Sequence, residues 1–195
     1  LGKTRKVTYN AEINGGETSQ EEKEVYESDK VDLTPTATKA DYEFVGWNTN
    51  SNAEEGLTSL TMGEENITLY AIFKRDISVT FIDYKGKEKQ TIQRKITVYN
   101  NDEVKQTELP EISEYEGWEG EYWTTDIEIS SGQEVGTEGE IKGISEDTIL
   151  YAVYSREKIL KVYLGEDMEA IEIKQKELVN SSDISLIQKA QLELP

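Results

Sequence analysis

Apolar and polar residues alternate in short runs along the chain, and these runs predict β-strands that come in pairs. The predicted first strands cover about residues 6–13, 78–84 and 159–164, and the return strands about 23–26, 91–98 and 170–174. In the last return strand Ile171 and Ile173 alternate with polar residues, which is typical of a half-buried strand. Asn14-Gly15-Gly16 is a strong hairpin signal because Asn and Gly tolerate positive φ. We therefore predict three antiparallel hairpins.

A polar pair follows each return strand and resembles a helix N-cap. The three pairs are Ser28-Asp29, Asn101-Asp102 and Ser182-Asp183. They predict a short helix or turn, brief in the first copy and longest in the third, where a helix of about three turns would place Ile184, Ile187 and Leu192 on one face. The strand that closes the first copy, residues 67–73, is apolar on both faces, as in a central strand. The order of elements predicts an α+β fold of small β-grasp-like units, each a mixed or antiparallel sheet with one short crossing helix.

The chain also repeats itself at the level of sequence. Residues 66–73 return as 147–154, and Val7-Thr8-Tyr9 returns as Val79-Thr80-Phe81 and again as Lys161-Val162-Tyr163. Gly46-Trp47 returns as Gly117-Trp118, and the spacing from the first aromatic is 38 residues in one copy and 37 in the other. Repeated spacing of this kind indicates tandem units. We predict repeat 1 at 1–75, repeat 2 at 76–156 with an insertion of about ten residues between Trp118 and Tyr151, and the first half of a truncated third repeat at 157–195.

Composition narrows the possible functions. The chain has 40 Asp and Glu against 21 Lys and Arg, a formal charge of −19, and contains neither Cys nor His. A Ser-His-Asp or Cys-His nucleophile and an imidazole or thiolate metal site are therefore excluded. The acidic balance argues against nucleic acid as a partner, and no apolar run approaches the roughly 20 residues that span a bilayer. We expect no catalytic residue, no cofactor and no metal site, and therefore no enzyme.

The repeated motifs resemble the Listeria–Bacteroides repeat family, also called internalin B-repeats. The matching parts are Asn14-Gly15-Gly16 after Val7-Thr8-Tyr9-Asn10, then Phe44-Val45-Gly46-Trp47, and residues 67–73. The resemblance covers 1–75 well, 76–156 more loosely, and only the first half of the unit in 157–195. It implies β-grasp-like modules that occur in tandem on bacterial surface proteins, either secreted or wall-anchored, and it points to a Gram-positive source. It also implies an extracellular, non-enzymatic role as a spacer or an adhesion module.

Aromatic residues are the main candidates for either core or ligand contact. We expect core anchors at Tyr9, Trp47, Tyr70, Phe73, Phe81, Trp118, Tyr151, Tyr154 and Tyr163, because large aromatics are usually buried. Trp123 and Tyr122 lie in the extended repeat-2 connection, without an evident counterpart in repeat 1. Packing is the first interpretation for them as well, but they are the best candidates for ligand contacts.

Three asparagines offer a second possible site. Asn48, Asn50 and Asn52 alternate like calcium ligands, but no Asp-x-Asp-x-Asp-Gly loop is present, so an ordinary polar turn is favoured over weak calcium binding.

Two functional hypotheses remain from the sequence. In the first, an elongated array of repeats with short joints acts as a stiff spacer at the bacterial cell surface. In the second, the module binds a host protein or glycan through the repeat-2 insertion, around residues 122–141, or by strand addition at a sheet edge. We expect a monomer, with no nucleic-acid partner and no direct membrane insertion.

Overall fold

The structure is a computed structural model of the 195-residue chain. The residues that it describes are 2–100, 102–115, 117–125, 127, 141, 143–163, 165 and 169–182.

The described residues are almost entirely β-structure. The strands are β1 (Thr4–Asn10), β2 (Glu17–Thr18), β3 (Glu22–Tyr26), β4 (Ala37–Thr38), β5 (Glu43–Asn48), β6 (Ile67–Lys85), β7 (Glu88–Tyr99), β8 (Glu119–Thr124), β9 (Thr148–Val162) and β10 (Ile171–Asn180). Two single turns of 3-10 helix, Glu12–Asn14 and Gln106–Glu108, are the helical segments of this part of the chain. The short strands β2 and β4 pair with each other, and the other eight strands form one mixed sheet.

The first half of β6 is a central strand, as its apolar pattern predicts. On one side β1 runs parallel to it, with Tyr9 opposite Leu69. On the other side β5 runs antiparallel to it, with Trp47 opposite Ala71. Strand β3 extends the sheet by pairing antiparallel with β1, which confirms the predicted hairpin pairing of the first and return strands. Leu69, Ala71 and Phe73 are buried on one face of this strand and Ile72 is buried on the other, in agreement with the apolar pattern on both faces.

The same pairings recur one repeat later. The second half of β6 runs parallel to β9, with Phe81 opposite Leu150. Strand β8 lies antiparallel on the other side of β9. Each long strand therefore closes one sequence repeat with its first half and opens the next with its second half. Strands β7 and β10 are the return strands that pair with β6 and β9.

The chain forms two compact units whose limits differ from those of the sequence repeats. Unit 1 comprises Leu1–Ile77, Ile96–Glu103 and Lys142–Ser145, and unit 2 comprises Ser78–Lys95, Val104–Ile141 and Glu146–Pro195. Unit 1 therefore includes part of the return strand of the second sequence repeat. Its core packs Val7, Tyr9, Trp47, Leu69 and Phe73.

The predicted α+β class with a crossing helix is wrong. Where the first helix was expected, Ser28 has φ 74° and the chain turns, and the Val31 amide then donates to the carbonyl of Leu60. The Met62 amide donates back to the Asp29 carbonyl. These long-range bonds use the main-chain groups that a helix would need, so no helix forms between the polar pair and the following proline.

In the second copy pairing again replaces a regular helix, and the single 3-10 turn Gln106–Glu108 is the helical segment before Pro110. Asp102 has φ 52°, and the Val104 amide donates to the carbonyl of Ile141. The helix expected around Ile184, Ile187 and Leu192 lies outside the described residues.

Candidate interaction surface

The two tryptophans at equivalent positions of the units are Trp47 and Trp123. The Trp47 indole packs edge-on against Tyr9, with ring centroids 5.1 Å apart, and donates to the Pro35 carbonyl at 2.7 Å. The Trp123 indole packs edge-on against Phe81 at 5.0 Å. It also lies opposite Ala152 on β9, as Trp47 lies opposite Ala71 on β6. The predicted equivalence of Trp47 with Trp118 is therefore wrong.

This correspondence places Trp123 in a core. Its side chain is only 4% exposed, and it has a counterpart in repeat 1, contrary to the expectation from sequence. Tyr122, its neighbour, is half-buried. Of the rest of the expected binding region, residues 126 and 128–140 lie outside the described residues.

Trp118 is buried in a different setting. The Arg156 guanidinium lies 4.5 Å from the centre of its ring, an arrangement that favours a cation–π attraction. Arg156 Nε also forms an ion pair with Glu177 at 2.7 Å. Trp118 therefore helps to hold β9 and β10 together through an almost buried arginine.

The other predicted anchors divide into three groups. Phe73, Phe81 and Tyr154 are fully buried, Tyr70 and Tyr151 are half-buried, and Tyr163 is instead 66% exposed. The Tyr154 hydroxyl accepts the Tyr84 amide at 2.8 Å, and burial raises the pKa of this phenol.

The loop that carries the three asparagines forms two consecutive Asx turns. Asn48 Oδ1 accepts the Asn50 amide and Asn50 Oδ1 accepts the Asn52 amide, each at 3.0 Å. Asn48 Nδ2 donates to the Glu55 carbonyl at 2.9 Å. Two of the three amide oxygens proposed as calcium ligands are thus used by the backbone of the loop. Among the described residues, no group of three or more acidic side chains is placed to hold a metal ion.

The most unusual surface lies on the hairpin of β9 and β10. Leu160 is directly opposite Ile173, and Val162 is directly opposite Ile171. Residues opposite each other in an antiparallel pair project from the same face, so these four side chains form one apolar cluster. Leu160 is 58% exposed, Ile171 is 50% exposed and Ile173 is 47% exposed. We call this cluster the hairpin patch.

The opposite face of the same hairpin is charged. Lys161 pairs with Glu172 and Lys174 pairs with Glu157, both at 3.1 Å. The hydrogen bond to Glu172 raises the pKa of the Lys161 amine. The hairpin therefore presents the apolar hairpin patch on one face and, on the other, charges of alternating sign around the exposed Ile159.

The base of the hairpin is anchored to β8 through Glu121. This carboxylate accepts a hydrogen bond from Lys176 at 2.6 Å and another from the Ser155 hydroxyl. Burial raises the pKa of Glu121, but the hydrogen bonds from Lys176 and Ser155 outweigh it, so its pKa is lowered overall. The hydroxyl of Ser181, next to the end of β10, donates to the Ile82 carbonyl at 2.5 Å.

Comparison with known families identifies the first sequence repeat. Residues 6–72 match the model of the Listeria-Bacteroides repeat domain. The first repeat is similar to the Listeria–Bacteroides repeat domain. This confirms the resemblance predicted from the sequence, and repeats of this family are typical of bacterial surface proteins. Searches of the curated proteins and of the solved structures found no match.

The first repeat of this chain has polar residues where the third hairpin has its patch. Matching Val7-Thr8-Tyr9 to Lys161-Val162-Tyr163 places Lys6 and Thr8 at the positions of Leu160 and Val162. The residues opposite them on β3 are Glu24 and Glu22. The hairpin patch is therefore a feature of the third hairpin and not of the first repeat. The described residues also contain no helix that could cross a bilayer.

Proposed function

We propose that the chain is a non-enzymatic module of a bacterial cell-surface protein and acts as a stiff spacer. The similarity of the first repeat to the Listeria–Bacteroides repeat domain supports the surface location. The recurrence of the same strand pairings in the second repeat supports a modular array.

The main support for the spacer proposal is the secondary structure of the stretch that joins the two sequence repeats. The residues between Phe73 and Val79 belong to one uninterrupted strand, β6, and not to a loop rich in Gly, Ser or Pro. Asp76, in the middle of this stretch, accepts a hydrogen bond from the Thr97 hydroxyl at 2.7 Å. Paired strand resists bending far more than a flexible linker does, and this property of the joint supports the proposed stiffness.

Small-angle scattering of the full chain tests stiffness. We expect a particle with one well-defined maximum dimension. A variant with Gly-Gly-Ser inserted after Asp76 provides the matched control, because it interrupts β6 at the joint. A wild-type distribution as broad as that of the insertion variant would contradict the proposal.

Adhesion is the second candidate function, and the free edges of the sheet favour it. The described pairings give β3, β7 and β10 one strand neighbour each. An open edge can bind an extended segment of another protein by strand addition. Adhesion requires saturable binding of the isolated chain to host cells or to a glycan array, and an absence of binding in both assays would contradict it.

A further inference from the structure

We propose that β10 is a self-association edge, along which two copies of this chain pair antiparallel about a two-fold axis at Ile173. This inference goes beyond the spacer function, does not depend on it, and departs from the monomer expected from the sequence. It rests on three independent properties of the hairpin: an open edge, a self-complementary charge pattern and the apolar hairpin patch.

The edge of β10 is available for pairing. Strand β10 lies at one end of the sheet, and β9 is its strand neighbour among the described residues. Its residues from Ile171 to Lys176 are exposed. Exposed edges of this length are usually protected by a bulge, a proline, charged side chains or a covering segment, because they readily accept another strand. Strand β10 has charged side chains, Glu172, Lys174 and Lys176, but no proline. The described pairing of β10 with β9 runs over ten residues without a register shift.

The charges of β10 match when the strand meets a second copy of itself. A two-fold axis at Ile173 places Glu172 of one copy opposite Lys174 of the other, and the reverse pair forms by symmetry. Each of these residues already pairs with an opposite charge in its own hairpin, Glu172 with Lys161 and Lys174 with Glu157. Charges of alternating sign would therefore extend across the joined hairpins.

The same arrangement brings the apolar faces of the two hairpins together. Ile173 of one copy lies directly opposite Ile173 of the other, on the face that carries the hairpin patch. The two patches then join into one strip across four strands, in which cross-strand pairs of β-branched residues are stabilising. An exposed cluster of this kind on an otherwise polar surface indicates an interaction site.

The other two return strands do not share this self-complementarity. On β3 the position equivalent to Ile173 is Glu24, so the same symmetric pairing would place two carboxylates against each other. On β7 a two-fold axis at Ile92 would place Lys89 opposite Lys95. Both arrangements are repulsive.

Net charge also favours β10 as the place where two acidic chains meet. Residues 156–162 and 171–180 together contain five basic and three acidic residues, a net charge of +2, in a chain whose net charge is −19. The negative charge of the chain is therefore concentrated away from this hairpin, which lowers the repulsion between two copies that meet there.

Sedimentation equilibrium of the full chain over a hundredfold concentration range tests the association. We expect a monomer–dimer equilibrium that Ile173→Lys weakens by roughly tenfold or more, because two lysines would meet at the axis. Ile92→Lys, on the equivalent return strand β7, should leave the equilibrium unchanged. Thermal unfolding followed by circular dichroism checks that both variants are folded. A wild-type chain that stays monomeric over the whole range, or a dimer that survives Ile173→Lys, overturns the proposal.

Disulfide trapping tests the register, and the chain has no cysteine of its own to interfere. In the proposed dimer the two Ile173 Cα atoms lie about 4.5–5.5 Å apart, within the range that a disulfide spans. The two Gln175 Cα atoms lie roughly 13 Å apart along the strands. Under mild oxidation Ile173→Cys should form a covalent dimer much faster than Gln175→Cys. Equal rates for the two variants would overturn the register at Ile173.

Discussion

The indole nitrogen of Trp123 donates a hydrogen bond of 2.9 Å to the main-chain oxygen of Pro110. Trp47 and Pro35 form the same bond in the first repeat. In both cases the tryptophan closes the core beside the opening strand, and the bond ties it to the segment that follows the return strand. The indole satisfies its N–H while burying most of its ring, which explains why a tryptophan occupies this position twice.

Truncation of Trp123 should destabilise the protein strongly. We expect Trp123→Ala to lower the free energy of unfolding by about 3–5 kcal/mol, because it leaves a large cavity beside Phe81 and an unpaired Pro110 carbonyl. Urea denaturation followed by circular dichroism measures the change. Tyr26→Ala, at a residue that is 51% exposed, is the control and should lower the free energy of unfolding much less. Equal losses in the two variants would contradict the core position of Trp123.

The close approach of Gly16 to Phe73 gives a second prediction. A Cβ atom on Gly16 would lie 2.5 Å from Phe73 Cζ and 2.7 Å from the Thr38 carbonyl oxygen. We expect Gly16→Ala to destabilise the protein by about 1–3 kcal/mol through overpacking. Gly63 has no heavy atom near the corresponding position, so Gly63→Ala is the matched control. Thermal denaturation should show a lower midpoint for the Gly16 variant alone.

Asn100 should stabilise the first unit although it lies in the second sequence repeat. Its Oδ1 accepts the Phe73 amide at 2.7 Å, and its Nδ2 donates to the Ser51 carbonyl at 2.8 Å. We expect Asn100→Ala to lower the free energy of unfolding by about 1–3 kcal/mol, because the Phe73 amide loses this acceptor and the Ser51 carbonyl keeps only the longer bond from Asn14. Asn52→Ala, at an exposed position of the nearby loop, should change the unfolding free energy little.

Two fragments of the chain test whether residues from the second sequence repeat stabilise unit 1. A fragment of residues 1–103 should unfold at a higher urea concentration than one of residues 1–75, since unit 1 includes Ile96–Glu103. Identical midpoints would show that the sequence repeat is sufficient on its own.

Alkaline pH should weaken the contact between Tyr42 and Asp102. Burial, and then the hydrogen bond that Tyr42 donates to Asp102, raise the pKa of Tyr42 to about 12. The folded state therefore holds this proton more tightly than the unfolded chain, in which tyrosine titrates near about 10. The resulting stability is fully present below about pH 10 and is lost as the pH rises towards about 12. Stability measured between these pH values should fall less steeply in Tyr42→Phe, and equal slopes would contradict this role.

Much of the architecture could be predicted because it depends on local patterns. The alternation around Tyr9 and Phe81 indicated opening strands, and the apolar run 67–73 indicated a central strand, which the pairing of β6 with β1 and β5 confirms. These patterns follow from which faces a strand buries, so they can be read without knowing its neighbours.

The predicted equivalence of Trp118 with Trp47 failed because it relied on a local motif. Gly117-Trp118 reproduces the Gly46-Trp47 dipeptide and nearly the right spacing. The register of β8 against β9, however, places Trp123 opposite Ala152. Strand register depends on pairing with a distant segment, and the dipeptide contains no information about that partner.

The sequence by itself determined the strand-forming segments, the repetition and the acidic, cysteine-free surface, because these depend on residue type and local spacing. Only the tertiary structure decided that the polar pairs open turns and not helices, since Asp29 and Val31 form their main-chain bonds with residues 60–62. It alone brought Leu160, Val162, Ile171 and Ile173 to one face of the third hairpin. Both outcomes depend on contacts between distant parts of the chain, and the free energy of those contacts exceeds that of local preferences such as an N-cap.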